Sequence, residues 1–380
     1  MTEENRKVLR AVAILVGTTI GAGMFGIPYV VSKIGFIPGM FYLFLLGILV
    51  LLLNLSYGEV ILRTPGDHQF GGYIDTYLGK KRVFLKAISI IAFFISAYGA
   101  LLAYLIKIGD FFNLFFGGGS PFFYSVLFFL LGSFTIFLGL RMVSWFEFAI
   151  VIFLVGLIIF IAAPGMAKME ISHFSYTNLS FFLLPYGVIL FALTGSSVIP
   201  EMEEILRKNP RKLKKSIIIG SLIPLFVYCL FTIFVFGVCG ALTSTDAITG
   251  LVPFFSPFLV KLGAIIGILA MGSSFFTLGY ILKEVWFRDF KASKNISFLL
   301  ACLPSFFLFL FGARNFIKIL DFSGAVSGGL IGILILMMFE KAKKTGKRKP
   351  AFVLAMPKFL IIILYLIFFL GIFSPFFNKI

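Results

Sequence analysis

The stretch that most constrains this chain is Gly17 to Pro28, GTTIGAGMFGIP. Apolar sequence flanks it, Val12 to Val16 before and Tyr29 to Val31 after, so the whole reads as one segment long enough to cross a membrane. Its middle resists helix. Gly17, Gly21, Gly23 and Gly26 crowd together ahead of Pro28, and each glycine in a helix interior costs about 1 kcal/mol relative to alanine. Backbone that unwinds at membrane depth persists only where its N–H and C=O groups face protein, a cavity or a polar ligand. The break is therefore a candidate binding site.

The rest of the chain supports a membrane reading. Of 380 residues, 60% are hydrophobic and 13% charged, in long apolar runs that exclude a soluble domain. Eleven segments follow from the runs: Leu9–Gly35, Phe36–Leu62, Val83–Phe116, Phe122–Leu140, Val143–Ala167, Phe181–Leu206, Ser216–Leu242, Phe258–Phe287, Ile296–Ala313, Phe316–Phe339 and Met356–Phe377. The N-terminus MTEENRKVLR lacks the short apolar region and cleavage site of a signal peptide, so segment one should be retained. Cys229, Cys239 and Cys302 lie inside apolar runs without metal or disulfide spacing, as core residues do.

A net charge of +17 raises the question of nucleic acid. The distribution answers it. Alternating the loops across a membrane puts 26 of the 33 Lys and Arg on the side of the N-terminus and 7 on the other, which is the asymmetry of a cytoplasmic face. The charge is a topology signal for a cell-membrane protein with a cytoplasmic N-terminus and an external C-terminus, with lipids as partners and no nucleic acid. The run EKAKKTGKRK can also touch anionic headgroups.

Segment six repeats the anomaly of segment one. Thr194, Gly195, Ser196 and Ser197 interrupt FFLLPYGVILFALTGSSVIPEMEEIL, and Pro200 follows. Broken segments at corresponding positions of two halves mark the midplane site of a secondary transporter. The expected organisation is a cytoplasmic N-terminus (1–8), a first repeat of five segments (9–167), a second (168–340), a basic cytoplasmic loop (341–355) and an appended eleventh segment (356–380).

IGAGMFGIP on segment one, LFALTGSSVIPEMEE on segment six and AMGSSFFTLGYILKEVWFRDF on segment eight resemble the signature stretches of the amino acid–polyamine–organocation superfamily. Within it they are most similar to the amino acid/auxin and aromatic amino acid permeases. The resemblance spans the chain and implies an all-α polytopic fold, the 5+5 inverted repeat of the bacterial leucine transporter (LeuT) with helices one and six broken. It also implies amino acid transport by alternating access.

An amino acid zwitterion needs donors for its carboxylate and acceptors for its ammonium. The helix start after the first break offers N–H groups near Gly21, Ala22 and Gly23, where partial positive charge suits a carboxylate. The helix end before the second offers the carbonyls of Phe191, Ala192 and Leu193, with the Thr194 hydroxyl beside them, and the resemblance implies the same division. Thr19 and Met24 flank the first break. Tyr98 and Phe276 are candidates for a side-chain pocket, as are Phe25, Phe191 and Phe275, although with 52 Phe in the chain any one of them more readily faces lipid or a neighbouring helix. No acidic side chain lies in either break, which favours a neutral substrate.

For coupling, the resemblance implies a sodium site formed by carbonyls of Gly17, Ile20 and Ala270 with the hydroxyls of Ser273 and Ser274. Oxygen ligands suit a hard cation, yet serines in membrane helices also bond back to carbonyls one turn earlier. The second sodium site of the fold is not expected, because Met24 and Ala192 stand at its positions. Proton coupling is the rival. The lysine that replaces sodium in some relatives is absent, since Lys168 lies at the end of segment five, and Glu201 is the remaining proton candidate. Lys33 with Asp321 outside, and Lys7 or Arg10 with Glu284 or Asp289 inside, are candidate gate pairs.

Gly21 to Gly26 also spells GxGxxG, but without the strand, amphipathic helix and distant acid of a dinucleotide site. His68 and His173 fall on opposite sides, and no GxSxG occurs, so no catalytic constellation or cofactor beyond a coupling Na+ is expected and the chain is not read as an enzyme. The expected function is secondary active transport of a neutral amino acid, hydrophobic or aromatic in side chain, coupled to Na+ or H+. The alternatives are a membrane amino acid sensor using the same pocket, or an amine or polyamine carrier or exchanger.

Overall fold

The computed structural model describes residues 3–79, 83–139 and 165–378, with isolated positions between 149 and 160. Its helices are α1 (Glu3–Thr19), α2 (Gly23–Ile34), α3 (Phe36–Arg63), α4 (Val83–Phe116), α5 (Pro121–Leu138), α6 (Leu184–Leu193), α7 (Ile199–Ile205), α8 (Arg211–Cys239), α9 (Pro257–Arg288), α10 (Lys294–Leu310), α11 (Phe316–Phe322), α12 (Gly329–Thr345) and α13 (Lys358–Gly371). Among the described residues, seven helical spans are long and apolar enough to cross a membrane, and the pair α1 and α2, bent by 54°, makes an eighth. Two shorter apolar helices, α10 and α13, occupy segments nine and eleven. Segment five lies outside the described residues except at isolated positions and its C-terminal end.

The halves of the two broken segments pack crosswise. Helix α2 lies on α6, and α1 lies on α7, so each half of segment one faces the opposite half of segment six, as an inverted repeat requires. Around this pair, α8 packs on α1 and α3, and α4 packs on α9. Segment ten joins through a π-helical stretch, Ser323–Gly328, that packs on α6. Such π-helical interruptions concentrate at functional sites.

Segments one and two meet with no loop. Gly35 alone separates α2 from α3, at φ 103°. A side chain there is excluded twice, by the left-handed backbone and because a Cβ would lie 2.2 Å from the carbonyl oxygen of Tyr176. Gly35 pairs with Thr177 in an antiparallel bridge, and Asn178 N donates to Ile34 O at 2.8 Å.

Two buried ionic clusters tie loops to the bundle. Lys107 of α4 reaches Asp110 at 2.8 Å and Asp246 of the loop between α8 and α9 at 3.6 Å. Asp246 in turn accepts from Ser244 Oγ, Thr249 N and Thr249 Oγ1 at 2.7–2.8 Å. In the second cluster, the fully buried Glu59 pairs with Arg63 at 2.8 Å and accepts from Leu354 N at 2.6 Å. That contact fastens the loop before α13 to α3.

Candidate binding site at two crossed helix breaks

In segment one the α-helical ladder ends by local bonds. Thr19 Oγ1 donates to Leu15 O at 2.7 Å and Ile20 N to Val16 O at 2.9 Å. The chain recovers only when Met24 N reaches Gly21 O and Phe25 N reaches Ala22 O. Between them, among the described residues, the Gly21 and Ala22 amides donate to no backbone carbonyl, and the Gly17 and Ile20 carbonyls accept from no backbone amide. In segment six, Thr194 is extended (φ −69°, ψ 120°) and Gly195 stands at φ −146°, ψ 10°. Thr194 Oγ1 bonds back to Leu190 O at 2.7 Å and its amide to Phe191 O at 3.3 Å. The Leu193 carbonyl accepts no backbone N–H among the described residues. One break thus presents donors and the other acceptors.

The breaks touch. A Cβ on Gly23 would sit 2.5 Å from Cα and Cβ of Ala192, and one on Gly195 would sit 2.6 Å from Thr19 Oγ1. Tyr228 of α8 binds both: its fully buried hydroxyl lies 2.7 Å from Thr19 O and 3.0 Å from Ala192 O. With one proton to donate, it shares that proton between the two carbonyls. On the other flank, Gly21 faces Tyr104 of α4 and Ser274 of α9, whose oxygens would lie 3.3 and 3.8 Å from a Cβ built there. Gly21, Ala22, Gly23, Met24, Ala192 and Leu193 are all buried, and Phe191 and Thr194 are partly so.

The two serines among the expected ion ligands are turned onto their own helix. Ser273 Oγ and Ser274 Oγ both donate to Ala270 O, at 3.0 and 2.9 Å. That carbonyl is therefore occupied, while the two hydroxyl oxygens keep lone pairs. Tyr98 stands in a different cluster: its hydroxyl donates to Leu300 O at 2.7 Å and accepts from Trp286 Nε1 at 2.9 Å. Phe276 packs against Phe128 of α5 at 6.0 Å. Glu201 is half-buried on α7. Lys168 bonds the Phe254 carbonyl and lies over the Phe255 ring, at the end of its segment.

Of the gate partners named from sequence, Lys7, Lys33, Asp321 and Glu284 are engaged elsewhere, Lys7 with Glu3. The Lys33 ammonium lies 5.0 Å over the Tyr29 ring, and Asp321 accepts from Asn378 Nδ2 at 2.6 Å. Glu284 pairs with Arg288 one turn on.

Two residues at the breaks, Tyr104 and Tyr228, escaped the sequence reading. The available signal was their type: against 52 Phe the chain has 13 Tyr, and a tyrosine inside an apolar segment carries a hydroxyl that must find a partner.

The sequence model of the tryptophan/tyrosine permease family matches residues 4–374. The chain belongs to that family. Its relatives include the tyrosine-specific transport system 1 of Haemophilus influenzae, 26% identical over 90% of each chain, and the low affinity tryptophan permease of Proteus vulgaris, 26% identical over 83% of this chain and 82% of that one. Among solved structures the permease resembles MhsT in complex with L-phenylalanine, with a TM-score of 0.65 at 14% identity over 97% of each chain. That likeness bears on the fold, which is the broken-helix inverted repeat expected from sequence. As a member of a permease family this chain is a multi-span membrane transporter and not an enzyme.

Proposed function

We propose that this permease is a secondary active transporter that carries a neutral aromatic amino acid across the cell membrane by alternating access, driven by a cation gradient. The observation that carries the reading is the contact of Gly23 with Ala192, which joins a break whose Gly21 and Ala22 amides donate to no backbone carbonyl to a helix end whose Leu193 carbonyl accepts from no backbone amide among the described residues. Donors suit the carboxylate and acceptors the ammonium of one zwitterion. Thr19, Met24, Phe191 and Thr194 flank the breaks along the chain, and no acidic side chain stands in either break to favour a cationic amine. Named relatives for tyrosine and tryptophan support an aromatic side chain. The superfamily suggested by the sequence signatures, a cytoplasmic N-terminus and an external C-terminus belong to the same reading.

Two cations fit the chain. Sodium would use Gly17 and Ile20 carbonyls with Ser273 and Ser274, with Ala270 O available only after the serine hydroxyls turn away. A proton needs a titrating carboxylate, for which Glu201 is the sequence candidate. Uptake of labelled tyrosine, tryptophan and phenylalanine into proteoliposomes tests the function: accumulation above equilibrium under a sodium or proton gradient supports it. Ligand binding without flux would instead indicate a sensor.

A further inference from the structure

Asp321 sits where a membrane carboxylate is difficult to keep. It is 2% exposed, at the junction of α11 with the π-helical stretch Ser323–Gly328. Asn378 Nδ2 donates to Oδ2 at 2.6 Å, while Oδ1 lies against the backbone of Gly187 in the first turn of α6 and has no side-chain partner among the described residues. No salt bridge to it forms among the described residues. On the elements packed against α11, the ionisable groups are Tyr186 on α6, Tyr29 and Lys33 on α2, and Lys86, Tyr98, Tyr104, Lys107 and Asp110 on α4, of which Lys86 pairs with Asp75. Lys107, 5.1 Å from the Phe316 ring, is committed to Asp110 and Asp246, and Lys33 to the Tyr29 ring. Tyr186 Oη bonds Ile367 O, and Lys318 on the same helix is exposed.

Resting on the transport reading above, we propose that Asp321 is a proton-binding site that couples transport to a proton gradient. The proton adds to Oδ1, converting carboxylate to carboxylic acid when the site is closed, and leaves from Oδ1 to water when the site opens to the other face. The physical basis is that an ionised carboxylate with no cation beside it is costly in an apolar interior, so closure and protonation favour one another.

The position makes the exchange consequential. A Cβ on Gly187 would lie 2.2 Å from Asp321 Oδ1, and one on Gly324 would lie 2.0 Å from Gly187 O and 2.7 Å from Phe191. Segment ten and α6 are thus in backbone contact from the carboxylate up to the residues that present the substrate acceptors. From Gly187 to Thr194 is about 10 Å along a helix. Water or charge entering at Asp321 must part α6 from α11, and α6 ends in the second break.

The test uses full-length protein in liposomes with the membrane potential clamped, and labelled tyrosine and tryptophan as probes. Without a gradient, wild-type protein exchanges internal for external substrate. An inward gradient of about one pH unit then drives accumulation of up to about tenfold for one proton per neutral substrate. The expected result for Asp321→Asn is retained exchange with gradient-driven accumulation reduced to the no-gradient level. Asp321→Glu, which keeps a titrating group, restores part of the accumulation. Full gradient-driven accumulation by Asp321→Asn would overturn the proposal. So would wild-type protein that exchanges substrate but ignores the pH gradient, a result that needs no variant to fold and leaves the transport reading intact. Absence of both exchange and uptake in folded wild-type protein would sink the transport reading itself.

Discussion

Gly23 and Ala192 meet so closely that a single added methyl on Gly23 would overlap both the Cα and Cβ of Ala192, at 2.5 Å from each. The neighbour is backbone and cannot swing aside. Gly23→Ala should therefore force the two breaks apart, at a cost of about 1–3 kcal/mol for overpacking. The expected outcome is loss of substrate-induced thermal stabilisation together with uptake. A Gly23→Ala protein that binds and transports normally would show that the contact does not set the site.

The shared phenol of Tyr228 makes a separable prediction. Tyr228→Phe keeps the ring and removes the donor, leaving Thr19 O and Ala192 O without it in a dry interior, where an unmet polar group costs about 1–3 kcal/mol. Substrate affinity should fall by roughly tenfold or more for each 1.4 kcal/mol that reaches the site. Equilibrium binding read beside the apo-protein melting temperature separates the cases: equal loss in both would indicate a purely structural hydroxyl.

Ser273 and Ser274 can be tested against sodium. Serine-to-alanine changes at both positions remove the only side-chain oxygens of the proposed ion site, whose hard-cation chemistry needs them. If sodium couples, stabilisation by sodium in the absence of substrate should vanish in the double variant. Unchanged sodium sensitivity would move the ion elsewhere.

Lys107 and Asp246 predict a stability effect at the loop between α8 and α9. Removing one member of a buried pair leaves the other charge uncompensated, typically at about 3–5 kcal/mol. Lys107→Met should lower the melting temperature and expose the loop between α8 and α9 to limited proteolysis, and adding Asp246→Asn should recover part of the loss. A melting curve identical to wild type would show that the cluster contributes no net stability.

The broken segments were legible because glycine, proline and hydroxyl residues violate the helix-forming pattern of an apolar run, and their spacing by five segments exposed the repeat. Gly21, Gly23 and Ala192 were found that way. Tyr104 and Tyr228 were not, since which face of an intact helix looks at the breaks depends on packing that periodicity does not specify in segments apolar all round. Asp321 shows the same limit from another side: at the start of segment ten it reads as a water-facing gate residue, and only the docking of Asn378 and the close approach of Gly187 place it in the interior.

Gly35 has a last consequence, for which parts of the first segment are at liberty to tilt. Its left-handed link to α3, its bridge to Thr177 and the Asn178 bond to Ile34 weld α2, α3 and the 171–178 strap into one unit. Helix α1 has no such weld: it joins that unit through the three residues Ile20, Gly21 and Ala22. Segment one thus has one arm fixed to its neighbours through backbone and one held by helix packing and side-chain bonds, with the unwound residues Ile20 to Ala22 as the only covalent link between them.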